Sequence, residues 1–147
     1  MMLAARRDLL AQILDTLVPA SGEFPGAGSI AVDHVVATAS ASTEVDTLLS
    51  RALGLVEGAA RSAGAGDFAG LDVTGREHIL RRVEATDPVV FEALVRHAYD
   101  GYYSHPDVLT RLGLEPGPLH PHGHQVEAVE LPGLARVAAR RSIYRPA

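Results

Sequence analysis

The sequence predicts an all-α fold, a compact bundle of about five main helices followed by an extended, irregular C-terminal arm that ends in a short helix. Three observations predict it. Apolar residues recur at three- and four-residue spacings in successive stretches, which is the signature of helices that bury one face. No run alternates apolar and polar residues long enough to make a half-buried strand. Capping residues, prolines and glycines fall between the periodic stretches, where helix ends require them.

The first helix runs from about Ala4 to Val18, with Leu9, Leu10, Ile13, Leu14 and Leu17 on one side and Pro19 as its stop. The next stretch, Pro19 to Gly28, carries two prolines and three glycines and reads as an ordered loop or hinge with Phe24 as its single large apolar side chain. Ser29 is the expected cap of a second helix that points Ile30, Val32, Val35, Val36 and Ala39 inward. Thr43 with Asp46 has the spacing of a capping box. It opens a third helix reaching about Ala63, with Val45, Leu48, Leu49, Ala52, Val56 and Ala59 as its stripe. Gly54 and Gly58 share a face of it, and a close helix crossing is expected there. Gly64 and Gly66 close this helix, and Phe68 and Leu71 are expected to plug the core.

Thr74 with Glu77 reads as a second capping box, ahead of a helix burying Ile79, Leu80 and Val83. Asp87 as cap with Pro88 at the first helical position starts the next helix by the strongest local signal in the chain. Its inner face is Phe91, Leu94, Val95, Ala98 and Tyr102, while Glu92, Arg96 and Asp100 make solvent-facing pairs four apart. Ser104-His105-Pro106 breaks it, and Val108 to Leu112 forms one more helical turn. The expected division is a helical domain over 1–112 and, within the same domain, an arm over 113–147. The stretch Gly113 to Pro132 holds four prolines and reads as extended. A last short helix covers about Gly133 to Arg141.

Composition narrows the function. The chain has 147 residues, 47% hydrophobic and 21% charged, enough for a single core of aliphatic side chains. It has no Cys, which excludes disulfides, thiolate-held clusters and a Cys nucleophile. A net charge of −5 argues against a nucleic-acid partner, and no apolar run reaches the roughly 20 residues that span a bilayer. All 13 basic residues are Arg; nine of them stand against all 18 acidic residues through Glu130, and Arg136, Arg140, Arg141 and Arg145 follow with no acid among them. That basic ending suits an acidic partner surface or the carbonyls of a helix C-terminus. Arg6-Arg7 is followed at once by Asp8, with Gln12, Asp15 and Thr16 inside what would be the apolar core of an export signal, so a cytoplasmic location is expected, or a periplasmic one only by export with a partner.

His120, His122 and His124 alternate, a spacing that places three imidazoles on one side of an extended segment and defines an alternative reading as a small metal-dependent enzyme. No carboxylate lies within that triplet, and the expectation is that no metal, cofactor or catalytic group belongs to this chain. There is no nucleophile elbow, phosphate loop or dinucleotide fingerprint, and pairs such as Glu127 with Glu130 or Asp67 with Asp72 are assigned no role. Tyr99 and Tyr103 fall on a different face from Phe91 and Tyr102, so one aromatic pair is core and the other is free to bind a partner.

The run Ile13-Leu-Asp-Thr-Leu-Val-Pro-Ala20, then Pro25-Gly-Ala27, Asp87-Pro-Val-Val-Phe91 and His97-Ala-Tyr-Asp-Gly-Tyr-Tyr-Ser104-His-Pro106, resembles the gluconate 2-dehydrogenase subunit 3 family. The ending, Pro121-His-Gly-His-Gln-Val-Glu127 through Ser142-Ile-Tyr-Arg-Pro146, is similar to members encoded beside oxidoreductases of the glucose–methanol–choline type. The resemblance implies a non-catalytic small subunit that stabilises or matures a large FAD-dependent oxidoreductase acting on sugars, glycosides or other alcohols. The flavin and the catalytic His then belong to the large subunit, and haem to a cytochrome subunit. Many family members carry a twin-arginine signal, and this chain departs from them there. The residues expected at the partner interface are Phe24, Tyr99, Tyr103, His120, His122, His124, Arg136, Arg140, Arg141, Tyr144 and Arg145. An autonomous helical homodimer that exchanges its arm is the remaining rival.

Overall fold

A computed structural model of the chain describes residues 3–117. A 3-10 turn, Ala4–Arg6, leads into α1, Arg7–Leu17; then follow α2, Ala27–Ile30; α3, Val32–Ala41; α4, Thr43–Ser62; α5, Val73–Thr86; α6, Pro88–Tyr103; and α7, Pro106–Arg111. Among the described residues the one extended pairing is an isolated antiparallel bridge between Ser21 and Phe24. Five helices, α1, α3, α4, α5 and α6, have ten residues or more, and the fold is the all-α bundle that the periodicity predicts. The compact unit runs to Pro116, so the turn after α7 belongs to it. The arm's short helix expected over Gly133 to Arg141 lies outside the described residues.

The core forms where the apolar stripes meet. Leu10, Ile13 and Leu14 of α1, Val32, Val35 and Ala39 of α3, Leu49, Leu53 and Val56 of α4, Ile79, Leu80 and Val83 of α5, and Val90, Leu94 and Ala98 of α6 are all buried. Helix α6 packs against α1 through α5 and against α7, which makes it the central strut. Ile30 and Val36, expected inside, are half-buried at the margin of this core. Phe68 enters the core from the α4–α5 connection and is 1% exposed, a burial worth about 1.5–3 kcal/mol. Arg76 holds it there: its guanidinium lies over the Phe68 ring at 5.6 Å and donates to the carbonyls of Phe68 and Ala69. Leu71 is only half-buried.

Three helix starts differ from expectation, two of them because neighbouring residues compete for the cap. Ser42 caps α4 by accepting from the Val45 amide at 3.4 Å, and Thr43 is already helical. Asp72 caps α5 by accepting from Gly75 at 2.7 Å, and Thr74 lies inside the helix. Ser29 caps nothing. Helix α2 begins at Ala27 after the extended Gly26, and the Ser29 hydroxyl donates back to the Gly26 carbonyl at 2.7 Å. The chain then breaks at Ala31 before α3. Asp87 and Pro88 do start α6, with the Asp87 carboxylate accepting from Val90 and paired with Arg51 at 2.6 Å.

Among the described residues the crossing expected at Gly54 and Gly58 is not formed, since a Cβ at either position would meet nothing within 4 Å. The close approaches occur elsewhere, at Gly26, Gly28 and Gly101. Gly64 behaves as expected. It sits at φ +76 and lets the chain turn back so that the Ala65 amide bonds the Ala60 carbonyl.

Candidate functional site

The turn between α1 and α2 is built from α1 outward. Val18 closes the last turn of α1 on the Leu14 carbonyl, and the Ser21–Phe24 pair folds the following residues into a small loop with Gly22 at φ +58. The Ala27 amide returns to the Val18 carbonyl at 3.0 Å. Asp15 then latches the far side by accepting from the Gly28 amide at 2.7 Å. From the opposite direction the Tyr102 hydroxyl donates to the Pro25 carbonyl at 2.9 Å. A Cβ on Gly28 would collide with the Ala11 carbonyl and the Asp15 carboxylate, and one on Gly26 with Asp15. Gly101 lets α6 come within van der Waals reach of Ala31. The segments Ile13 to Ala20, Pro25 to Ala27 and His97 to Pro106 therefore meet in one place, through Asp15, Pro25, Gly101 and Tyr102.

Tyr102 marks the border between this turn and a surface of different character. It is 4% exposed, whereas Tyr99 is 46% and Tyr103 51% exposed. The Tyr103 ring stands edge-on to both, with centroids at 5.2 Å from Tyr102 and 5.9 Å from Tyr99. Burial pushes the Tyr102 phenol above its ordinary pKa, and Tyr103 pushes it the same way, so it stays a hydrogen-bond donor. Leu112 and Leu114, both exposed, follow α7, which packs on α6. Large exposed aromatic and aliphatic groups with polar tips are the chemistry of protein recognition. On the same helix His97 is largely buried, and desolvation lowers its pKa; Asp100, at 3.9 Å, works against that shift, while Arg96 and His34 reinforce it. Its neutral form is the one that folding favours.

The expected interface residues divide accordingly. Tyr99 and Tyr103 are exposed and in contact with each other. Phe24 is half-buried and packs on the core from the pinned turn. His120, His122, His124, Arg136, Arg140, Arg141, Tyr144 and Arg145 lie outside the described residues. Of the described histidines, His34 and His78 are exposed and His105 caps α7, its ring nitrogen accepting from the Asp107 amide. Among the described residues no group of three or more His, Asp or Glu could hold a metal, and no helix is long and apolar enough to cross a membrane. Of the pairs expected four apart on α6, Arg96 meets Asp100 at 3.9 Å, while no ion pair joins Glu92 and Arg96 among the described residues. Asp15 is the residue that sequence reasoning missed. Its signal was the pair Gly26 and Gly28 following a helix that carries a carboxylate on its last turns.

These observations define a small helical module whose distinctive groups are a pinned turn and an exposed aromatic ledge. The chain belongs to the gluconate 2-dehydrogenase subunit 3 family, whose model matches residues 4–115. The match ends in the turn after α7 and takes in every segment that forms the pinned turn and the ledge. No curated protein and no solved structure matches the chain.

Proposed function

We propose that this chain is the non-catalytic small subunit of a flavin-dependent dehydrogenase complex, binding and stabilising a large oxidoreductase of the glucose–methanol–choline type that carries FAD and oxidises sugars, glycosides or other alcohols. The observation that carries this reading is the family match over 4–115, and the exposed Tyr99–Tyr103 pair supplies a surface suited to it. Hydride transfer to FAD is then the large subunit's chemistry. The small subunit acts by binding the folded form of the large one, which shifts that subunit's folding equilibrium by mass action.

Co-expression of this chain, tagged, with a glucose–methanol–choline-type flavoprotein of the same genome tests the reading. A yellow, stoichiometric eluate with a flavin spectrum is the expected result; a colourless, lone chain overturns it. Tyr99→Ala and Tyr103→Ala are each expected to weaken the complex about tenfold or more if the ledge is central to the interface, while leaving the helical circular dichroism of the isolated chain unchanged. Removal of the residues after Gly117 is expected to abolish co-purification if Arg136, Arg140, Arg141, Tyr144 and Arg145 contact the partner.

A further inference from the structure

The aromatic ledge is one end of a longer stripe on the side of α6 turned away from the core. Val89, Glu92, Arg96, Tyr99 and Tyr103 follow one another at three- and four-residue steps, which at 3.6 residues per turn holds them within an arc of about 80°. The buried Leu94 and Ala98 occupy the opposite side of the helix. Every member of the stripe is exposed, Val89 by 67%. Three of the six large apolar side chains left exposed among the described residues therefore stand on this one arc. A single exposed valine or tyrosine is ordinary, but three on one helix face with two opposite charges between them form a seam of the kind through which helices pair. The charges are uncommitted. Glu92 lies four residues before Arg96, the favourable order for a pair within one helix, yet among the described residues no ion pair joins them, and Arg96 reaches only Asp100, at 3.9 Å.

We propose that this stripe pairs antiparallel with the same stripe of a second copy, so that the free subunit covers its own ledge. The order of the residues is self-complementary. With a two-fold axis crossing midway between Glu92 and Arg96, each Glu92 faces the Arg96 of the other copy, and each Val89 faces the other copy's Tyr99. A slip by one helical turn would set Arg96 against Arg96 or Glu92 against Glu92, and a parallel pairing would set like against like at both positions. The charges thus commit the face to a second copy and fix its direction and register, in a closed two-fold contact. Helix α6 has 16 residues, about 24 Å at 1.5 Å per residue. One face of that length falls short of the roughly 800 Å² per partner of a standard interface, so the dimer is weak and reversible. Because Tyr99 and Tyr103 are also the groups offered to the large subunit, dimer and complex exclude each other, and self-association regulates access to the ledge. That exclusion rests on the subunit reading above; the dimer does not.

Sedimentation velocity of the full chain, from about 1 μM to about 1 mM, tests the dimer. The mean mass is expected to rise with concentration toward that of two chains. Glu92→Arg and Arg96→Glu each place like charges opposite one another twice, and each should weaken the dimer about tenfold or more while leaving the helical circular dichroism unchanged. Mixed in equal amounts, the two variants should form a dimer within about threefold of the original affinity, with one chain of each kind, because every reversed charge then faces its opposite. A chain that stays monomeric throughout overturns the proposal and leaves the stripe to a different protein. A dimer indifferent to both reversals overturns it as well and puts the contact elsewhere, as does a pair of weakened variants that mixing fails to restore. A dimer that follows the charges while no flavoprotein co-purifies rejects the subunit reading alone, and a monomer that co-purifies with the flavoprotein rejects the dimer alone.

Discussion

Two connections rich in glycine join helices in this bundle, Val18 to Gly26 between α1 and α2, and Ala63 to Asp72 between α4 and α5. In the second, Gly64 and Gly66 hold left-handed backbone at φ +76 and +74, and a Cβ at either would meet nothing within 4 Å. Around the first, Gly26 has an ordinary φ of −71. Its difficulty, like that of Gly28 just inside α2, is space: α1 comes so close that the Asp15 carboxylate and the Ala11 carbonyl occupy the place of a side chain. One region needs glycine for its torsion angles and the other for its size. The first region is also where helices distant in sequence are tied together, by Asp15 to Gly28 and by Tyr102 to Pro25, so its disturbance should reach further.

The largest expected effect is therefore at Gly28. Gly28→Ala forces either α2 away from α1 or the Ala11 carbonyl out of its helix, and overpacking of this kind costs about 2–3 kcal/mol. Urea denaturation followed by circular dichroism should show the midpoint falling with little change in slope. A loss below about 1 kcal/mol would mean that the two helices separate easily, and the contrast between the regions would collapse. Next is Gly64→Ala, expected to cost about 1–2 kcal/mol from left-handed backbone alone. Gly64→Asn should recover part of that loss, because Asn tolerates the same region. No such recovery is expected from Gly28→Asn, where the obstacle is steric.

Tyr102→Phe sharpens the comparison from the other side. The ring stays in the core and only the donor to the Pro25 carbonyl is lost, so the expected cost is about 1 kcal/mol. Because Tyr102 is buried and Tyr99 is not, Tyr99→Phe should change the stability of the isolated chain by less than about 0.5 kcal/mol. If the two substitutions prove equivalent, the pinned turn does not depend on α6.

Much of this was readable before any coordinates. The strut α6 announced itself through Asp87-Pro88, because a capping carboxylate and a proline without an amide hydrogen both suit a helix start and suit little else. The division of the tyrosines also followed from spacing, since 3.6 residues per turn centres Phe91 and Tyr102 about 90° around the helix from Tyr99 and Tyr103. The starts of α4 and α5 were off by one or two residues because Ser42 beside Thr43, and Asp72 near Thr74, offer interchangeable caps, and packing decides between them. The Asp15 latch left one local trace, the pair Gly26 and Gly28 after a helix with a carboxylate on its last turns. The contact itself depends on which loop comes to rest against α1, a tertiary fact that no local pattern carries.

Gly54 and Gly58 show the same limit with the opposite sign. Their four-residue spacing on α4 is what a close helix crossing would look like in a sequence, yet among the described residues nothing lies within 4 Å of a Cβ on either. Glycine inside a helix costs about 0.5–1 kcal/mol relative to alanine because it loses more backbone freedom on folding. With no neighbour to obstruct a methyl group, Gly54→Ala and Gly58→Ala should each stabilise the isolated chain by about that amount, read as a higher denaturation midpoint. The same exchange that costs the most at Gly28 would then be favourable at Gly54, a difference of about 3 kcal/mol for one added methyl. If either alanine destabilises the isolated chain, some element approaches α4 there and the glycine pair marks a contact after all. If both stabilise the chain alone but weaken the complex with the flavoprotein, the open side of α4 is a place where the partner's backbone comes close.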